Sequence, residues 1–291
     1  MVTGTFWAPS MINHCDLCGH GALKPVYEPE RSTRGLKVHL CNHCGLLQSL
    51  PRTDRAAHAP MADSSGADRG NVRYGKGFRT AAAMASIARH ADLSDDITVL
   101  DVGSNRGSFA RALLNAAPSA ILVALEPDER IAALCAGLER TQLAVSRIED
   151  AALESGRFDI IHSCHTLEHL AEPKRILGDH WRCLRNGGLL VLDVPNTALL
   201  ENHDIVEEWF SDKHLYHFSV ATLSAMVKGA GFEIIDQPNP GNRENLLIVA
   251  RKASRTNAMS THDEREVKAA EALIGAYRTT RAQNISAQRA A

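Results

Sequence analysis

From residue 97 onward the chain alternates short, dense apolar runs with longer stretches whose apolar positions recur every three or four residues. The runs at 97–102, 121–125, 158–164 and 188–194 predict buried strands, and the stretches at 108–116 and 173–184 predict helices between them. Asn186-Gly187-Gly188 predicts a tight turn closing the second of these helices. Residues 233–235 and 246–250 predict a late antiparallel pair. Strands alternating with helices imply an α/β, Rossmann-like fold: a mostly parallel sheet with helices on both faces. Ahead of the first strand, 78–90 predicts a helix with Phe78, Ala81, Ala82 and Ala85 on its apolar side. Such a helix is placed to cover a ligand at the sheet edge, with Tyr74 and Phe78 as candidate contacts. At the other end, 263–291 predicts a helix carrying Val267, Ala270, Leu273, Ile274 and Tyr277 along one side. Residues 51–73 are rich in Pro, Ala, Asp, Gly and Ser without periodicity and predict a connector.

The first strand carries the main chemical signal. Val99-Leu100-Asp101-Val102 runs straight into Gly103-Ser104-Asn105-Arg106-Gly107, and a helix pattern follows at once. A strand, a glycine-punctuated turn and a helix N-terminus make an anion and hydroxyl site largely from backbone. Asn105 is one of the few side chains that tolerates positive φ. A dinucleotide fingerprint would place glycines as G-x-G-x-x-G. Here the special positions fall at 103, 105 and 107, with Asp101 two residues earlier, the spacing of S-adenosylmethionine sites. Glu126-Pro127 closes the second strand, where a carboxylate can accept from both hydroxyls of a ribose. In the loop Ser146-Arg147-Ile148-Glu149-Asp150, Ile148 and Glu149 are candidates to flank an adenine, and Asp150 is an alternative acceptor for its amine.

A second signal lies at the front. Cys15-Asp16-Leu17-Cys18-Gly19 and Cys41-Asn42-His43-Cys44-Gly45 repeat one pattern, with 22 residues between the pairs. Two C-x-x-C-G turns at this separation predict a zinc ribbon with a structural Zn²⁺ held by Cys15, Cys18, Cys41 and Cys44. The intervening segment suits a short hairpin. Four thiolates leave no open position, so the metal has no catalytic role and the neighbouring His14, His20, His39 and His43 are not needed as ligands. The predicted organisation is a ribbon over 1–52, a linker and lid helix over 53–95, the main domain over 96–252 and a helical tail over 253–291.

Composition narrows the function classes. The net charge is −2 and 44% of the residues are apolar. That content supports a packed core, and that charge gives no general attraction to nucleic acid or anionic membranes. No apolar run is long enough to span a bilayer. The N-terminus lacks a secretory pattern, so a cytoplasmic location is the expectation. Seven cysteines, an odd number, argue against a disulfide framework, and Cys135, Cys164 and Cys183 are expected as buried thiols.

Taken with His165-Thr166-Leu167-Glu168-His169-Leu170, Pro173 and Asn186-Gly187-Gly188, these motifs resemble the class I S-adenosylmethionine-dependent methyltransferases. With the N-terminal cysteine pairs, the chain resembles the zinc-ribbon branch that includes sugar C-methyltransferases acting on nucleotide-linked deoxysugars. The likeness spans residues 12–252. It implies that Asp101, Gly103, Ser104, Asn105 and Gly107 line the methionine and ribose, with Glu126 and Pro127 at the ribose. It further implies that Ile148, Glu149 and Asp150 lie near the adenine, and that His165 sits between cofactor and acceptor. The stretch ending His214-Leu215-Tyr216-His217-Phe218-Ser219 resembles a family segment whose histidine, here His214, is a candidate base. Two departures stand out. Lys213 occupies the place where the sugar branch commonly carries glutamate, and residues 263–291 resemble only the start of that branch's further lobe. The implied acceptor is a small molecule, a nucleotide-linked sugar or saccharide-biosynthetic intermediate. An O- or N-methyltransferase on another metabolite, and a scaffold or binding protein that keeps the fold without catalysis, stay open. So does oligomerisation through the C-terminal helix.

Overall fold

The structure is a computed structural model that describes residues 14–30, 32–51, 76–201, 209–238, 244–254 and 262–290, with side chains in the last helix through residue 279. Tyr74 and nearly all of the predicted connector lie outside the described residues. Two sheets organise the chain. The larger is built from β4 (Thr98–Val102), β5 (Ile121–Leu125), β6 (Thr141–Ala144), β7 (Phe158–Cys164), β8 (Leu184–Pro195), β10 (Phe232–Asp236) and β11 (Asn245–Lys252), in the order β10-β11-β8-β7-β4-β5-β6. Strands β6, β5, β4, β7 and β8 run parallel, and β11 pairs antiparallel with both β8 and β10. The chain steps outward from β4 to β5 and β6, then returns to place β7 on the other side of β4. That reversal leaves a crevice beyond the carboxyl ends of β4 and β7, where open α/β sheets bind ligands.

Strand alternation produces two apolar layers. Leu100, Val102, Ile161, Leu190, Leu192 and Ile248 face one layer, joined by Ile176 and Leu177 of α4 (Pro173–Cys183). Their neighbours Val99, Ile160, Val191 and Val249 face the other. There they meet Phe109 and Leu113 of α2 (Ser108–Ala116) and Ile87 of α1 (Lys76–His90). Burying each such side chain contributes about 1.5–3 kcal/mol. The period of two explains why these runs read as continuously apolar: both faces of the sheet are covered. Strand β8 starts earlier than the periodicity predicts. The turn expected at Asn186-Gly187-Gly188 is absorbed as an irregularity within the strand, where Gly187 has φ +76 and the register with β7 shifts. The short α3 (Glu129–Ala132) follows β5, and α5 (Val220–Gly229) precedes β10 behind a Ser219/Thr222 capping box.

The smaller sheet holds the cysteine pairs. Strands β1 (Leu23–Tyr27), β2 (Lys37–Cys41) and β3 (Leu47–Leu50) form an antiparallel meander, as the predicted hairpin requires. Its fourth strand, β9 (Tyr216–His217), comes from the segment between β8 and α5 and pairs with β3. The C-terminal helix α6 (Glu264–Ala290) also lies on this ribbon. Ala270, Ile274 and Tyr277 are buried with Val26, Tyr27, Val38 and Leu40. The apolar stripe read from the sequence is therefore spent, in its described part, within the chain. Among the described residues no helix is long and apolar enough to cross a membrane.

Candidate active site and metal centre

The turn after β4 is held by its neighbours. Gly103, Asn105 and Gly107 have φ of +72, +49 and +74, the three positions the spacing singles out. The N–H groups of Gly103 and Ser104 both donate to Leu125 O, each at 2.9 Å. Glu126 then staples the turn from the end of β5. Its Oε2 accepts from Asn105 N at 2.8 Å and its Oε1 from Asp128 N at 3.1 Å. Burial raises the Glu126 pKa, and those two N–H groups oppose the rise. A Cβ on Gly103 would stand 2.4 Å from Thr166 Oγ1, so glycine there lets β4 and the loop after β7 approach closely.

Asp101 points its carboxylate across the sheet. Its Oδ1 accepts from His162 Nδ1 at 2.7 Å, and the His162 ring stacks on Phe109 at 3.7 Å. The other oxygen, Oδ2, is buried without a hydrogen-bond partner. Of the remaining sequence-predicted residues on this side, Ser104 and Ile148 are buried, whereas Pro127 and Asp150 are exposed. Glu149 tucks its side chain in, 3.7 Å from Arg147 Nε. Asp101 lies near the carboxyl end of β4, and Ser104, Pro127, Ile148, Glu149 and Asp150 lie beyond the carboxyl ends of β4, β5 and β6.

Beyond β7 and β8 a second group of polar side chains converges. His165 adopts φ +49, and its N–H donates to Asp193 O at 2.8 Å. The ring Nε2 lies 2.8 Å from Asn245 Oδ1 and 3.3 Å from Arg79 Nη1. Burial, reinforced by the Arg79 charge, holds the His165 pKa well below the usual histidine range. Asp193 is buried, which pushes its carboxyl up to about 7. Glu168 is only 1% exposed; burial pushes it up to about 8, opposed by its own backbone N–H, and no other residue hydrogen-bonds to either oxygen. Facing it are His169, which donates from Nδ1 to Lys213 O at 2.7 Å, and His214, which donates from Nδ1 to Trp209 O at 2.8 Å. Burial pushes His214 down to about 3.

Several of these residues lie outside the motifs. Arg79 sits beside Phe78, the predicted lid contact, yet Phe78 is 61% exposed while Arg79 is buried. His162 and Asp193 carry a legible signal, a polar residue inside an apolar run; Asn245 and Arg79 carry none. Conversely, the Lys213 side chain is exposed and only its carbonyl joins the cluster. His217 is a seam residue: it is buried, with Nε2 at 3.2 Å from Ser49 Oγ of the ribbon.

The four ribbon cysteines meet at one point. Cys15 Sγ lies 3.6 Å from Cys44 Sγ, Cys18 Sγ lies 3.6 Å from Cys41 Sγ, and all four sulfurs fall within 4.8 Å of one another. A tetrahedron with Zn–S bonds of about 2.3 Å has sulfur–sulfur edges of about 3.8 Å. The two loops share one geometry: Gly19 N donates to Cys15 O and Gly45 N to Cys41 O, with φ of +74 and +77 at the glycines. The donor set fits a closed structural zinc site.

A family model described as a methyltransferase domain matches residues 76–237, more than half of the chain. The chain belongs to that methyltransferase family. Trans-aconitate 2-methyltransferase of Deinococcus radiodurans is 32% identical over 108 residues, which is 36% of this chain and 39% of that protein. The match thus spans about two fifths of the length of that relative. Among solved structures, the fold is similar to a chain from the complex between the Haloferax volcanii Trm112 methyltransferase activator and a methyltransferase. That likeness has a TM-score of 0.54 and 16% identity over 65% of this chain and 96% of the other. It is also similar to a Bordetella parapertussis protein, with a TM-score of 0.51 and 20% identity over 60% and 67%. These likenesses show the fold.

The methyltransferase fold implies S-adenosylmethionine, and the donors present fit it. Glu126 uses two of roughly four acceptor positions on backbone N–H groups and retains the rest. The buried, partnerless Asp101 Oδ2 stands at the same strand end.

Proposed function

We propose that this methyltransferase acts on a small molecule, with a sugar or saccharide-biosynthetic intermediate as the first reading. S-adenosylmethionine would supply the methyl group from its sulfonium. The chain's contribution is alignment and exclusion of water. The stapled turn at 103–107 carries this reading, because Glu126 ties the backbone of the turn to the end of β5 and leaves acceptor positions for ribose hydroxyls. Asp101, Ser104 and Pro127 border that end. Ile148 and Glu149 flank the adenine side, with Asp150 outside. His165 separates cofactor from acceptor. His214, neutral and with its Nδ1 proton committed to Trp209 O, offers the Nε2 lone pair to the acceptor side. Arg79 favours a second acceptor chemistry, a carboxylate, since its buried guanidinium meets His165 at the same strand ends.

Calorimetric titration of the zinc-loaded protein with S-adenosylhomocysteine tests the reading, and the expected result is one site per chain. Glu126→Ala should weaken that binding by about 1–3 kcal/mol, the scale for groups left unpaired. No binding by a folded, zinc-loaded sample would move the reading to a scaffold that keeps the fold without the chemistry.

A further inference from the structure

We propose that Glu168, His169 and His214 bind one divalent transition-metal ion on the acceptor side of the crevice. The ligand atoms of these three residues all lie within 4.8 Å of one another. The two imidazoles are already oriented as ligating histidines are. Each Nδ1 donates to a backbone carbonyl, Lys213 O and Trp209 O, at 2.7 and 2.8 Å. A carbonyl can only accept, so the proton sits on Nδ1 and Nε2 keeps its lone pair; that outer hydrogen bond is the usual partner of a metal-bound imidazole. His169 Nε2 lies 3.5 Å from Glu168 Oε1. Two ligands at about 2.1 Å around a tetrahedral ion stand about 3.4 Å apart.

Glu168 is the independent observation. Its carboxylate is 1% exposed, and no residue other than its own backbone N–H donates to it. A buried carboxylate short of donors is costly unless a proton or a cation meets it. Arg79 bears on it electrostatically without reaching it, and His165 Nδ1 stops at 3.9 Å. A cation among the three ligand atoms satisfies Glu168 and both lone pairs together. Two imidazole nitrogens and one carboxylate suit Zn²⁺, Co²⁺, Fe²⁺ or Mn²⁺, and three protein ligands leave positions open. His169 and His214 are partly rather than fully buried residues. An open position on such an ion would orient an acceptor oxygen and lower its pKa. This role toward an acceptor rests on the methyltransferase reading; binding of the ion does not. In this arrangement the Nε2 lone pair of His214 is committed to the ion, so His214 acts as a ligand and not as a base toward the acceptor.

The test uses the full chain with zinc retained in the four thiolates, titrated with Co²⁺. The expected result is one further equivalent, with visible bands but no thiolate charge-transfer band. Proton NMR of that sample should show two contact-shifted exchangeable protons, the Nδ1–H groups held by Lys213 O and Trp209 O. His214→Gln should remove one of them and weaken Co²⁺ binding by about 10–100-fold or more. Failure to take up the second equivalent, or uptake without the two shifted protons, overturns the site even if no variant folds. The two readings separate on one sample. Cobalt uptake without S-adenosylhomocysteine binding sinks the methyltransferase reading alone, and cofactor binding without cobalt uptake sinks the ion site alone.

Discussion

Two clusters of ligating side chains, one of four cysteines and one of Glu168, His169 and His214, are built in opposite ways. The cysteine cluster takes four like ligands from two copies of one five-residue turn, and every position around its centre is filled. The cluster of Glu168, His169 and His214 takes one carboxylate and two imidazoles from two segments far apart in the sequence. Its carboxylate is buried, and no other residue hydrogen-bonds to it. A closed, self-satisfied site stabilises a fold. A site with an unsatisfied buried acid instead carries a cost that a ligand can relieve. The difference separates the part of the molecule that braces from the part that binds.

The largest effect should come from breaking the closed site. Structural zinc sites bind with about 10–16 kcal/mol, and that free energy is folding free energy. Cys41→Ser should therefore unfold the ribbon, and the loss should spread. Strand β9 pairs with β3, Ser49 N donates to Leu215 O at 2.8 Å, and a Cβ on Gly45 would already collide with Glu266 of α6. Hydrogen exchange should show Leu47, Tyr216 and His217 losing protection together while β4 and β7 keep theirs. Protection retained at Tyr216 would show that β9 belongs to the main lobe alone, and that the brace is not needed there.

Asp193, which neighbours the open cluster, should answer to pH. In the folded chain burial keeps the Asp193 carboxyl protonated up to about pH 7, against the pull of the Arg79 and His162 charges. An unfolded aspartate ionises near 3.9. The folded state thus holds an extra proton between these values. The stability this confers is fully present below about pH 4 and is lost as pH rises to about 7. Asp193→Asn keeps the shape and cannot ionise, so it should be nearly neutral at pH 4 and stabilising at pH 8 by at most about 4 kcal/mol. Denaturant melts at the two values measure it. An equal effect at both would mean that the acid titrates alike in the folded and unfolded chain.

What the sequence reveals divides along the same line. The cysteine turns, β5 and β7, and the left-handed positions at 103, 105 and 107 are legible because each is encoded within a few consecutive residues. Local geometry there is decided by glycine, asparagine and side-chain period. Strand β6 and the two-residue β9 are too short and mixed to carry a period, and β9 exists only because β3 offers it a partner. The Asp101–His162 contact joins neighbouring strands, and Arg79 reaches His165 from a helix ahead of the sheet. Such pairs are products of topology, so no spacing rule announces them. Phe78 and Arg79 make the point within one turn of helix: the apolar residue faces solvent and the charged one faces the crevice, which inverts the expectation for a packing helix.

The smallest effect concerns how α6 is fastened to the closed side. Lys24 Nζ meets Glu271 Oε1 at 3.1 Å, but the two side chains are 56% and 44% exposed. Exposed pairs of this kind contribute about 0–1 kcal/mol and weaken with salt. Beneath them Ala270, Ile274 and Tyr277 are buried against Val26 and Tyr27, and the two tyrosine hydroxyls lie 3.2 Å apart. If the apolar stripe holds the helix, Glu271→Gln should change stability by less than about 1 kcal/mol and lose even that at high salt. Ile274→Ala should cost about 2–5 kcal/mol at any salt concentration. Salt-dependent melts of the two variants decide between the fastenings. A large, salt-sensitive loss in Glu271→Gln would mean that charge positions the helix. The ribbon's stability would then depend on ionic strength, unlike a site closed by four thiolates and an apolar cover.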